Sequence, residues 1–196
     1  MMRFIREAIA IVAGIFGPVV LWQAWDRLPA QIPTHFDAAG RPDGYGSPST
    51  LVLVPAISAF LYLVMTAFSF FPETFNYPVK VTEQNRARVQ AIAVSMLGWI
   101  KAEIMCVLAY VTWSMVRVAK GEASGLGLAF LPVMFAAVGL TIAIGIVQTR
   151  RAVLSFAAFG APADLYTEIP AALTPVRRFR FRLIVKIGDN NSQQGF

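Results

Sequence analysis

The chain has 196 residues, of which 57% are hydrophobic and only 14% charged. A soluble domain carries roughly 25% charged residues, so there is too little water-facing side chain here for an ordinary globular protein. One cysteine and one histidine exclude an internal disulfide and a zinc site of the usual Cys/His kind. The net charge of +6 sits in clusters around apolar runs, which argues for a membrane and against nucleic acid.

No Asp, Glu, Lys or Arg occurs at 8–25, 44–72, 104–116 or 123–149. A span needs about 20 mostly apolar residues to cross about 30 Å of hydrocarbon. Four spans are therefore expected, over 5–25, 51–71, 90–116 and 126–147. Backbone groups in lipid must pair within their own segment, so the spans are helices. The expected fold is an all-α integral membrane protein: a four-transmembrane-helix bundle (1–149) with an ordered extracytoplasmic loop (26–49) between helices 1 and 2, then a basic, partly disordered cytoplasmic tail (150–196). Arg3 and Arg6 before an apolar run resemble a signal peptide. The run ends at Trp25 rather than at a small-residue cleavage site, so a retained first helix is expected. Twelve Lys and Arg residues fall on the side of the two termini and the second loop, four on the other side. The positive-inside rule puts both termini in the cytoplasm.

In helix 1, Gly14, Gly17 and Pro18 read as a packing groove or mild kink, with a moving hinge as the alternative. Trp22 and Trp25 close it at the interface. The loop that follows is too rich in Pro and Gly for helix. Pro29 and Pro33 force extended backbone before them. Residues 34–36 suit a short strand, and 37–40 and 42–44 are turn sequences. Leu28, Ile32, Phe36 and Tyr45 are its expected apolar anchors. His35, Asp37 and Asp43 leave two readings open: hydrogen bonding across the loop, or a ligand, metal or proton-sensing role. Pro55 lies in the first turns of helix 2, where proline costs least. The aromatics of that helix, Phe60 to Phe71, are lipid-facing or packing bulk. Thr82 is the expected N-cap of helix 3.

Helix 3 holds Lys101 and Glu103, 13 and 15 residues after Arg88 and 16 and 14 before Arg117. That spacing places both near mid-membrane, where a charge costs about 2.5 to 3.5 kcal/mol on insertion scales. Two residues apart, they point in different directions and do not pair with each other. Glu103 shares a face with Ser95, Trp99, Cys106 and Tyr110, a face polar enough to point inward. With no other charge assigned to this depth, each is expected to find backbone, hydroxyl, water or a second subunit. The two readings are a polar anchor that orients the helix and a cavity that binds a ligand or carries a proton. In helix 4, Gly139 and Ala143 form a small-xxx-small pattern that permits close packing. The tail segment around Arg177, Arg178, Arg180 and Arg182 alternates basic and apolar residues, suiting anionic lipid or a cytoplasmic regulator. No nucleophile–base pair, metal-ligand motif or phosphate loop is visible, so no catalytic residue, metal or cofactor is expected, and no enzyme.

The run Trp25, Asp26, Leu28, Pro29, Ile32, Pro33, His35, Phe36, then Gly40, Pro42 and Asp43 resembles the N-terminal domain of unknown function of SdpI-type bacterial membrane proteins. Lys101 and Glu103, followed by Tyr110 and Trp113, resemble its later part. The resemblance covers residues 8–116. It departs at Pro48, which follows Ser47 where family members carry a nearby lysine. The founding member is an immunity protein against a secreted toxin peptide and a signal transducer that holds a repressor at the membrane. The resemblance thus implies a multi-pass protein of the bacterial cytoplasmic membrane. It would sense or neutralise an extracytoplasmic peptide or amphiphile through the loop (Trp25, Asp26, Pro29, Pro33, His35, Phe36, Asp37, Gly40, Asp43) and an intramembrane polar site (Lys101, Glu103, Tyr110). The alternative is a small proton-coupled transporter using Lys101 and Glu103. Expected partners are the bilayer, the peptide, the cytoplasmic regulator or anionic lipid, and a second copy of the chain; nucleic acid is not among them.

Overall fold

The computed structural model describes residues 2–160 of the chain. Two units are distinguished, 1–156 and 157–196, and the helical bundle is the first. The basic segment Arg177 to Arg182 lies outside the described residues. Among those described there are four long helices: α1 (Met2–Ala24), α2 (Leu53–Phe68), α3 (Arg86–Ala119) and α4 (Phe130–Gly160). All four, with their flanking turns, are long and apolar enough to cross a membrane. Their surfaces suit lipid and not water: Phe60, Leu63, Phe68, Val133, Phe135 and Leu140 are all exposed. A soluble monomer rarely leaves so much contiguous apolar surface uncovered.

The core is a three-helix unit of α1, α2 and α3. Small residues on α1 bring it close to α3. Ala10 is fully buried, and a side chain at Gly17 would meet Thr112 Oγ1 at 3.4 Å. Helix α1 runs unbroken through Pro18, and Gly14 and Gly17 face Met105 and Thr112 of α3, as a packing groove would. α4 stands at the side of this unit against α3. It touches through Phe130 stacked on Tyr110 (ring centroids 5.2 Å apart), Thr141 on Glu103, and Gly145 beneath the Met96 side chain. The pattern at Gly139 and Ala143 permits close packing, and among the described residues nothing lies within 4 Å of a Cβ built at Gly139. Instead, Gly145, six residues on, takes the close approach. α4 also continues past Val147 through Arg150 and Arg151.

Between α1 and α2 the chain makes a β-hairpin of β1 (Ile32–Phe36) and β2 (Pro42–Gly46). The strands are antiparallel, pairing Ile32 with Gly46 and Phe36 with Pro42, with irregular register around His35. Residues 42–44 thus belong to a strand and not to a separate turn. The hairpin plugs one end of the bundle. Ile32 and Leu51 are fully buried with Leu21, Ala24, Met115 and Val116, and Leu28 and Phe36 pack against that cluster. Tyr45 is not an anchor: it alternates to the outer face of β2 and is 62% exposed.

The start of α3 differs from expectation. Thr82 does not cap it with its side chain. Asn85 organises the turn, accepting from Thr82 N and donating to the Lys80 carbonyl. An amide with both a donor and an acceptor can tie two strands of loop together, which a hydroxyl does less well.

Candidate functional site: hairpin and buried polar groups

The hairpin turn is built by Asp37. Its Oδ1 accepts from the backbone N–H of Ala39 (2.9 Å) and of Arg41 (2.8 Å). Arg41 Nε reaches its Oδ2 at 3.2 Å. Gly40 sits at φ +75°, where a side chain would press on Gly127 and Leu126, and its carbonyl accepts from Leu126 N at 2.7 Å. The hairpin tip is thereby fastened to the α3–α4 connection. The Arg41 N–H holds the Asp37 carboxyl below the usual carboxylate range, helped by the Arg41 charge and the Ala39 N–H. A depressed carboxylate contributes stability above its unfolded value of about 3.9 and loses it as pH falls through the lower folded value. Protection of the Ala39 and Arg41 amides, corrected for intrinsic exchange, is therefore expected to hold from about pH 5 to 7 and to fall below about pH 4. Asp37→Asn should flatten that profile; an unchanged profile would mean that Asp37 does not set the turn.

His35 and Asp43 face each other on the outer side of the hairpin, Nδ1 to Oδ1 at 2.5 Å, with side chains 73% and 47% exposed. They bond across the loop, as one of the two readings expects. Pro33 is buried, Phe36 half-buried, and Trp25, Asp26 and Pro29 are exposed. Among the described residues no group of three His, Cys, Asp or Glu side chains could hold a metal.

Lys101 and Glu103 face different partners. Lys101 is buried, and all three donors of its ammonium are used. Two go to Glu7, Oε1 at 2.8 Å and Oε2 at 2.9 Å, and one to Thr66 Oγ1 at 3.0 Å. The Tyr62 ring lies 4.6 Å from the same nitrogen, a cation–π arrangement, and the Tyr62 hydroxyl donates to Glu7 Oε2 at 3.3 Å. The expectation that no charge of this chain reaches Lys101 is thus corrected: Glu7 does. Glu7 is the sixth residue of α1, and Thr66 is the third from the end of α2. Both lie at the end of the bundle opposite the hairpin. Lys101 is midway along α3 because α3 is 34 residues long, not because it lies at the middle of the three-helix core. No second subunit is needed to neutralise it.

Glu103 points instead to α4, where Thr141 Oγ1 donates to its Oε1 at 2.5 Å. Its Oε2 is buried and has no partner among the described residues. The polar face expected around it is split. Ser95 accepts from Arg6 of α1, Cys106 is exposed, and Tyr110 donates to the Leu126 carbonyl at 2.7 Å. That last bond matters, because Tyr110 links the α3–α4 groove to the segment that holds the hairpin tip. Sequence reasoning missed Glu7, Thr66, Tyr62 and Thr141. The visible signal was Glu7, the one acid among the basic residues that open the chain.

Residues 11–59 match a family described as a domain of unknown function, DUF1648. The matched segment carries most of α1, the whole hairpin and the first turns of α2. It leaves out Glu7, Lys101, Glu103 and Tyr110. An uncharacterized protein of Archaeoglobus fulgidus is 31% identical over 77 residues, covering 32% of this chain and 42% of that protein. The chain therefore spans less than half of that relative's length. No solved structure matches.

Proposed function

We propose that this chain is a membrane receptor of the SdpI-like immunity or signalling type, which takes up a membrane-active peptide or amphiphile in the groove between α3 and α4. The observation that carries this reading is the buried Glu103 oxygen with no partner among the described residues. Leaving such a group unsatisfied costs about 1–3 kcal/mol, a cost that a ligand presenting a hydrogen-bond donor or cation would remove. From Phe130 to Val147 the α4 side chains are apolar apart from Thr141, and Glu103 offers one unpartnered acceptor beside them, which suits an amphiphile. Tyr110 and Leu126 connect it to the hairpin tip, so a ligand that parts α3 from α4 would move the hairpin. On this reading both termini are cytoplasmic, the hairpin faces outside the cytoplasmic membrane, and the tail with Arg177, Arg178, Arg180 and Arg182 engages a regulator or anionic lipid.

The test is survival. Bacteria expressing the chain are challenged with a panel of membrane-active peptides, beside a Glu103→Gln strain. Protection by the wild type and its loss in the variant are expected. Protection that survives the substitution would move the site to the hairpin; no protection against any peptide would end the immunity reading. The same free carboxylate oxygen favours a second reading, a proton-coupled transporter. Lys101, locked to Glu7 and Thr66, would then have no part in it. Ligand-dependent proton uptake in liposomes, absent in Glu103→Gln, distinguishes the two.

A further inference from the structure

A second polar feature lies at the opposite end of the bundle from the hairpin. A cavity of about 20 Å³, room for about one water molecule, is lined by Arg3, Arg6, Glu7, Ser69, Gly98 and Lys101 among others. Arg6 is only 8% exposed. Its Nη1 donates to Ser95, to the carbonyl at 3.2 Å and to the hydroxyl. Its Nε is buried and has no partner among the described residues. Gly98 makes room for it: a Cβ there would stand 3.1 Å from Nε. Three cations line this cavity against one carboxylate, and that carboxylate is already held by Lys101 and Tyr62. Arg3 is exposed at the same cavity.

We infer that the Arg3–Arg6 niche binds a phosphate group, one oxygen entering the cavity toward Arg6 and the remainder held at the mouth by Arg3. The cavity is too small for a whole ligand, so the ligand must present a single anionic oxygen from outside. Guanidinium groups match phosphate geometry and bind it with charge-assisted hydrogen bonds. Two sources share this chemistry: the headgroup of an anionic phospholipid, and free phosphate. Neither depends on what occupies the Glu103 groove.

The test follows thermal unfolding of the purified full chain in neutral detergent by tryptophan fluorescence. The additions are short-chain phosphatidylglycerol, phosphatidylcholine with the same chains, and inorganic phosphate at matched ionic strength. A saturable upward shift with phosphatidylglycerol alone identifies the headgroup; a shift with inorganic phosphate as well identifies the phosphate itself. Arg3→Gln, an exposed change that spares the fold, should weaken the half-saturating concentration about five-fold, the equivalent of about 1 kcal/mol per basic residue at a membrane surface. Gly98→Ala, which crowds Arg6 and keeps every charge, should weaken it as well. Lys80→Gln, a change outside the niche, should not. The inference is overturned if neither phosphate source shifts unfolding, if phosphatidylcholine shifts it equally, or if Lys80→Gln weakens binding as much as Arg3→Gln.

Discussion

Glu7→Ala is expected to be the most damaging single substitution in the bundle, lowering stability by about 3–5 kcal/mol, the range for removing one partner of a buried ion pair. The cost arises at Lys101, whose side chain is 3% exposed. Without Glu7 its ammonium keeps one hydroxyl and one ring face, and no counter-charge. Lys101→Met should cost less, because Glu7 is 35% exposed and can hydrate once released. The double variant Glu7→Leu with Lys101→Met should recover much of the loss, since a well-packed apolar pair often replaces an ionic one at little cost. Unfolding free energies in detergent of the wild type, Glu7→Leu, Lys101→Met and the double variant close the cycle and give the coupling energy. Simple additivity of the two single changes would show that the contact does not hold the helices together.

How much of this was legible in the sequence follows from what each feature depends on. The four helices were legible because exclusion of charge over about 20 residues is a one-dimensional property. The hairpin was half legible. Thr34 to Phe36 and the Asp37 turn declare themselves by local chemistry, whereas β2 is a strand only because β1 lies beside it. The partners of Lys101 were not legible for a related reason. Counting from Arg88 and Arg117 measures position along one helix, and α3 is 34 residues long. Its partners are set by the axial register of α1 and α2, which put Glu7 and Thr66 beside it. No periodicity within α3 encodes that register. Gly139 has the same limit: a small-residue pattern shows that a helix can pack closely, not where its neighbour is. Glu103 and Tyr110 stand out in the sequence as candidates, but their partners Thr141 and Leu126 depend on where α4 begins.

Glu103→Met is expected to have the second large effect, and in two opposite directions. It should abolish the peptide protection proposed above while raising the stability of the bundle by about 1–3 kcal/mol, the range for relieving a buried unsatisfied polar group. Methionine matches glutamate in length and has a flexible apolar stem, so it can fill the space between α3 and α4 without strain. Thr141 loses its acceptor, but a threonine in a helix can turn its hydroxyl to the carbonyl four residues earlier. Glu103→Gln separates charge from shape: it keeps an acceptor for Thr141 and should leave stability nearly unchanged while protection is lost. A polar anchor would behave otherwise. If Glu103 served to fasten α4 through Thr141, Glu103→Met would lower the unfolding midpoint, Glu103→Gln, which keeps that acceptor, would not, and any loss of protection would track the loss of folded protein. A side chain whose removal steadies the fold and ends the activity is retained for the activity, because stability alone would have favoured its replacement. Stability and protection measured on the same three proteins therefore decide between the two roles.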